Sequence, residues 1–281
     1  MKATKTFADS KNFADFQNQA VLAPPFVDST DKVAIFGGSF DPPHLAHFEI
    51  ILWLSKHFGQ VIVVPAYQNP LKTHTTIPLQ TRLKWCKKMC ENIDNVIISD
   101  IEARNNRVMF ACELARHFYA KYFGEKLLDN KQKSKNFTPP LYFVIGEDCL
   151  ANLHKWKNIN ELSSLVDFVV LQRGGTKKSS PKKITQATST KAQKSSEKNS
   201  SKAKQNNVDL LDFAKLHYVD FCPNALLDFK LNSGDISSTF LRKSLKQNID
   251  SKGNNEKILQ ALPKNLHDEV LAFFAKTSLQ F

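Results

Sequence analysis

The chain has 281 residues, 42% of them apolar, a formal net charge of +12 and five cysteines. That length can bury one substantial core or two modest ones. No run approaches the roughly 18–20 uninterrupted apolar residues of a membrane span, and the polar N-terminus lacks the apolar stretch of a secretory signal. The expectation is one main domain with decorations, cytoplasmic and without a membrane partner.

The charge is uneven. Between Gly174 and Asn207 lie nine lysines and one glutamate, which leaves only +4 for the rest of the chain. This segment of Lys, Ser, Thr and Gln has almost no large apolar residue, so burial cannot offset the entropy of ordering it. It reads as a disordered insertion at about 174–207, a solvated surface loop in preference to an RNA or anionic-surface tether; nucleic acid is therefore not an expected partner. The cysteines (Cys86, Cys90, Cys112, Cys149 and Cys222) are odd in number and form no C-x-x-C pair, which argues against a zinc knuckle and a disulfide framework. Cys86 and Cys90 are four apart on an expected helix, where packing explains them better than a metal.

In chain order, residues 1–31 show no sustained apolar period and contain Pro24 and Pro25, and they read as a flexible extension to a domain spanning 32–281. From Lys32 onward, short runs rich in Val and Ile alternate with polar, helix-like segments. The runs are VAIF at 33–36, VIVV at 61–64, VIIS at 96–99, LYFVI at 141–145 and FVVL at 168–171. They look like strands buried on both faces. Leu45–His57, Leu79–Asn92 and Phe110–Phe123 are long enough for crossover helices, which predicts an α/β fold with a doubly wound parallel sheet. HYVDF, ending at Phe221, and ALLDF, at 225–229, could each be strand. A helix is expected from near Ser237, and an amphipathic helix over Lys264–Lys276 closes the fold.

Two passages carry chemistry. In VAIFGGSFDPPHLAH, Val33–His47, Gly37 and Gly38 suit a sharp turn and close approach to a ligand. Pro42 and Pro43 end the strand and prepare a helix start, whose backbone N–H groups beside His44 would favour a phosphate. His44 and His47 are three apart, so on a helix both could touch that phosphate. In ISSTFLR, Ile236–Arg242, the hydroxyls of Ser237, Ser238 and Thr239 can cap a helix or bind an anion, and Arg242 follows one turn later on the same side.

GGSFDPPHLAH resembles the signature of the nucleotidyltransferase superfamily, H-x-G-H after a G-x-F-D-P turn, with Ala46 where most members have Gly. ISSTFLR resembles the superfamily's I-S-S-T-x-x-R, and two matches some 190 residues apart in the expected order are far more specific than one. YFVIGEDCLANLHKW, Tyr142–Trp156, is similar to the G-x-D-x-L…W stretch of bacterial nicotinate-nucleotide adenylyltransferases, and PAYQNPLKTH, Pro65–His74, to their proline-rich loop ending in P-H-K, with Leu71 in place of the His. The S-Y-T-like triplet common in those enzymes is absent; Asn106–Phe110 stands in its place.

The resemblance implies a Rossmann-like nucleotidyltransferase fold and transfer of the adenylyl group of ATP to nicotinate mononucleotide, with pyrophosphate leaving, in NAD biosynthesis. It assigns ATP binding to Gly37, Gly38, Ser39, Phe40, His44, His47, Ile236, Ser237, Ser238, Thr239 and Arg242, and catalysis to His44, His47, Lys72 and Arg242. Asp148, Trp156, Arg107 and Lys72 would bind the acceptor, with Asp148 on ribose hydroxyls and Trp156 stacked on the pyridine ring. Arg173 aligns with a basic residue near the nucleotide site. Mg²⁺ is expected through the ATP phosphates and not through protein side chains. A homo-oligomer is compatible with the sequence. Nicotinamide mononucleotide or phosphopantetheine as acceptor, and a non-catalytic nucleotide- or RNA-binding protein on the same fold, are the alternatives.

Overall fold

The computed structural model describes residues 32–68, 76–124, 140–173, 216–221, 236–248 and 255–278. Six strands form one parallel sheet: β1 (Val33–Gly38), β2 (Gln60–Pro65), β3 (Val96–Ile98), β4 (Leu141–Gly146), β5 (Asp167–Arg173) and β6 (Leu216–Phe221), in the order β3-β2-β1-β4-β5-β6. All five adjacent pairs run parallel. The five expected strands are present, and HYVDF proves to be the sixth, beside β5. ALLDF, the N-terminal extension and the Lys-rich insertion lie outside the described residues.

Alternation along each strand divides the core into two layers. Ala34, Phe36, Val61, Val63, Tyr142 and Val144 face one way. There they meet α1 (Leu45–His57), α2 (Leu79–Met89), α6 (Ser238–Asn248), α7 (Asn255–Gln260) and α8 (His267–Ser278), through Ile51, Trp53, Trp85, Leu241, Ile258 and Phe274. Val33, Ile35, Ile62, Leu141, Phe143 and Ile145 face the other way. They pack on α3 (Ile101–Asn105), α4 (Ala111–Phe123) and α5 (Ile159–Leu165), through Ile101, Phe118, Tyr119 and Leu162. A sheet covered on both faces needs strands apolar on both sides, which is why their sequence reads as continuous Val/Ile runs.

The helix boundaries depart from expectation in two places. α2 stops at Met89 rather than Asn92, because the Cys90 N–H turns to share the carbonyls of Cys86 and Lys87 at 3.2 Å each. The closing segment starts as a 3-10 turn (Lys264–Leu266) before α8 begins at His267 and runs to Ser278. Among the described residues, no helix is long and apolar enough to cross a membrane.

Candidate functional site

The connection leaving β1 crosses one face of the sheet through α1, whereas the connection entering β4 crosses the other face through α3 and α4. The carboxyl ends of β1 and β4 are therefore the point where the winding reverses, and in open α/β sheets a crevice opens there. Phe36 lies opposite Val144, so two residues further on the strands end in Gly38 and Gly146.

The turn after β1 is built by residues other than its glycines. Gly37 and Gly38 remain in the strand; the left-handed residue is Phe40, with φ 47°, followed by a cis Asp41–Pro42 bond. The sharp turn expected at the glycines thus falls two residues later. Gly38 suits the turn for a different reason, since a Cβ there would lie 3.1 Å from the Phe40 ring and crowd it. Phe40, expected at the nucleotide, has a fully buried ring; it packs edge-on against Phe36 at 5.6 Å and lies 4.7 Å from the imidazole of His47. Its contribution to the site is to support His47.

His44 is the N-cap of α1 and His47 stands one turn in, their rings stacked 3.7 Å apart, so the expected shared face is present. Two of the backbone donors expected to be unengaged beside His44 are already taken. The His44 N–H donates to Nδ1 of His47 at 3.3 Å, and the Leu45 N–H donates to the Ala261 carbonyl at 3.0 Å because the turn after α7 packs on the start of α1.

ISSTFLR docks directly on this turn. Ser237 caps α6, its Oγ accepting the Phe240 N–H at 3.1 Å; Ser238 Oγ donates to the Pro42 carbonyl at 3.0 Å. Arg242 donates to the Asp41 carbonyl, pairs with Asp41 Oδ2 at 3.2 Å and reaches Thr239 Oγ1 at 3.2 Å. All three hydroxyls and the arginine are thus hydrogen-bonded within the protein. Ile236 is half-buried against the core beneath them. Ser39 Oγ, by contrast, is buried and has no hydrogen-bond partner.

A buried polar group that sequence reasoning missed lies below. Arg82 of α2 is fully buried and donates to four carbonyls: Ser39 at 2.6 Å, Ala66 at 2.7 Å, Ile77 at 2.9 Å and Tyr67 at 3.2 Å. Burial pulls its pKa down, and the neighbouring Asp41 carboxylate pulls it back up. Asp41, also buried, accepts the N–H groups of Thr76 and Ile77 at 3.0 and 2.9 Å. Glu102 accepts the Tyr67 N–H at 2.6 Å; burial pushes its carboxyl up, and that bond opposes the shift. Nothing local distinguishes Arg82 from the lysines around it in TRLKWCKK, so only its place under two loops reveals it.

On the β4 side, Asp148 is exposed in the first turn of a 3-10 helix (Glu147–Lys155), and its Oδ1 fills the place a side chain at Gly146 would take. Trp156 is half-buried and stands edge-on to Phe143 at 6.0 Å. The same Phe143 ring is 4.0 Å from a Cβ built on Gly37, so Trp156 packs on the ring that underlies the end of β1. Arg107 is not drawn in. It is half-exposed and donates to Glu113 at 3.0 Å, whose carboxyl also caps α4 through the Phe110 N–H. Burial raises the Glu113 carboxyl, but those two donors outweigh it and hold it below the usual range. Lys72 falls within 69–75, outside the described residues, and of Arg173 only its position at the end of β5 is described.

A family model described as cytidylyltransferase-like matches residues 35–244. A probable nicotinate-nucleotide adenylyltransferase from a Nitratiruptor species is 40% identical over 148 residues, covering 52% of this chain and 76% of that protein. Another, from Helicobacter pylori, is 37% identical over 146 residues, covering 51% and 76%. Among solved structures, Plasmodium falciparum nicotinic acid mononucleotide adenylyltransferase complexed with NaAD aligns with a TM-score of 0.53 and 18% identity, over 86% of this chain and 95% of that one. That likeness is one of fold.

Proposed function

We propose that this chain, which belongs to the cytidylyltransferase-like family and is a nucleotidyltransferase, transfers the adenylyl group of ATP to nicotinate mononucleotide. The observation that carries the reading is the docking of Ser238 and Arg242 on Pro42 and Asp41, beside His44 and His47 at the carboxyl end of β1. Two segments some 200 residues apart form one polar surface at the switch point, suited to a triphosphate. The curated relatives bear the name of this activity.

In this reading the acceptor's phosphate oxygen attacks the α-phosphorus of ATP, the bond to the bridging oxygen breaks and pyrophosphate leaves. No protein nucleophile is required, so catalysis is positioning plus stabilisation of developing charge. His44 and His47 contact the phosphates around the transferred group. Arg242 exchanges Asp41 for a phosphate oxygen, Ser39 Oγ gains the partner it lacks, and the Ser237–Thr239 helix start faces the departing pyrophosphate. Lys72 supplies a further cation. Mg²⁺ arrives on the triphosphate as part of the substrate.

Trp156 and Asp148 receive the acceptor, the indole against the electron-poor pyridine and the carboxylate on ribose hydroxyls. Trp156→Ala and Asp148→Asn should each raise KM for nicotinate mononucleotide about 10-fold or more, the cost of one lost hydrogen bond or stacking contact, and leave KM for ATP nearly unchanged. A rise confined to ATP would remove the acceptor assignment. A specific observation keeps nicotinamide mononucleotide as a second reading: Arg107, one of the side chains expected at the acceptor, is engaged by Glu113.

A further inference from the structure

We infer that Arg82 is a positioning residue for the transfer reaction, its guanidinium fixing the loop after β1 against the loop after β2. The inference rests on the adenylyl-transfer reading above and adds to it a residue that never touches substrate. β1 and β2 are in register up to the pair Gly38–Pro65. Beyond that pair the two chains diverge, and one backbone bond, Ala66 N–H to the Gly38 carbonyl at 2.9 Å, continues the ladder. Arg82 takes over at this point. Its Nη1 donates both to Ser39 on the first loop and to Ala66 on the second, Nη2 holds Tyr67, and Nε holds Ile77 at the entry to α2.

What hangs on each carbonyl gives the contact its consequence. Ser39 precedes Phe40, whose ring supports His47, and Asp41, which pairs with Arg242. Tyr67 opens the loop that continues toward Lys72, and its N–H is pinned by Glu102 at 2.6 Å. One guanidinium therefore sets the spacing between the loop that supports His47 and pairs with Arg242 and the first residues of the loop after β2. Loss of the guanidinium would leave four carbonyls without their donor, so Arg82 also supports stability, and the test has to separate that role from positioning. A planar fork that addresses carbonyls in several directions at fixed angles is something neither Lys nor Met can reproduce.

The test is the full chain with Arg82→Met and Arg82→Lys, assayed with Mg-ATP and nicotinate mononucleotide beside thermal unfolding of the same samples. The expected result is cooperative unfolding of both variants and a kcat lowered about 100-fold in Met, as a misplacement near 1 Å can cause. Lys should lose less, and KM for both substrates should stay within about threefold. A folded Met variant that keeps the wild-type kcat, or loses activity only through KM, overturns the inference. If the Met variant does not fold, the Lys variant decides by the same split. If the wild-type chain turns over no acceptor, the adenylyl-transfer reading falls and amide hydrogen exchange judges Arg82 alone. Faster exchange at Ser39–Asp41, at His44 and at 66–68 together, with β1 unchanged, sustains the clamp between the two loops but not its part in transfer, and unchanged exchange there overturns the clamp as well.

Discussion

His47 is held on two faces, stacked on His44 at 3.7 Å and resting near Phe40 at 4.7 Å, so its ring is preorganised before any substrate arrives. Preorganised donors aimed at developing charge are worth about 10²–10³ in kcat when one is removed. His47→Ala should lower kcat by about that factor and raise the acceptor's KM far less; KM inflation at unchanged kcat would contradict a role in the transition state. Glu49, two residues on, reports on stability instead. It is buried, Oε2 has no hydrogen-bond partner, and burial pushes its carboxyl up to about 8. The folded protein keeps a proton that the unfolded chain releases near 4.5, so stability falls as pH rises from about 4.5 to 8 and is level above. Glu49→Gln should raise Tm, by several degrees at pH 8, at about 2–4 °C per kcal/mol for a chain of this size, and by much less at pH 5. An equal gain at both pH values would show that ionisation is not the cause. The two histidines and the S-S-T-x-x-R run were legible because their spacing alone puts them on one helical turn. Arg82, Asp41 and Glu102 acquire their roles only from tertiary burial beneath two loops, which no local pattern announces.

The helices divide into those that carry the site and those that hold the carriers in place. α6 presents the ISSTFLR passage, capped by Ser237, whereas α7 and α8 pack behind α1 and α2. Ala261, just after α7, caps α1 through the Leu45 N–H. Glu269 in the first turn of α8 accepts from Lys84 at 2.9 Å, Lys88 at 2.9 Å and Trp85 Nε1 at 3.2 Å. The two lysines hold its carboxyl down at about 2. Its contribution is therefore complete above the usual carboxylate range and is lost as pH falls through about 2. Glu269→Ala should lower Tm at pH 7 and converge on the wild type as pH approaches 2. A Tm difference that persists there would mean packing, not charge, ties α8 to α2. At this scale the long Val/Ile strands and the 11- to 13-residue helices were legible, since each fills several periods of its pattern. The short pieces, α3, α5, α7 and the 3-10 helix after β4, span too few turns to show a period and take their form from what they pack against.

At the scale of the whole molecule, the 3-2-1-4-5-6 strand order places the switch point between β1 and β4, where the turn after β1 meets the Ile236–Arg242 segment, whereas Arg107 is engaged by Glu113. The order of alternating strands and helices made a doubly wound sheet readable. The pairing of β6 with β5 was not, because two apolar runs competed for that place and only the sheet's free edge decides between them. The Lys-rich stretch falls between β5 and β6, and its composition argues that it adds little to the core. Deleting residues 176–206 should leave kcat within about twofold of the full chain, as tolerated surface insertions do. A large loss would give the stretch a part in turnover. The most direct measurement is pyrophosphate release from Mg-ATP by the purified chain, with nicotinate mononucleotide, nicotinamide mononucleotide and phosphopantetheine offered separately. Preference for the nicotinate acceptor by about 10-fold or more in kcat/KM, a difference of roughly 1.4 kcal/mol, is the expected result; release driven only by one of the other two acceptors, or by none, would contradict it.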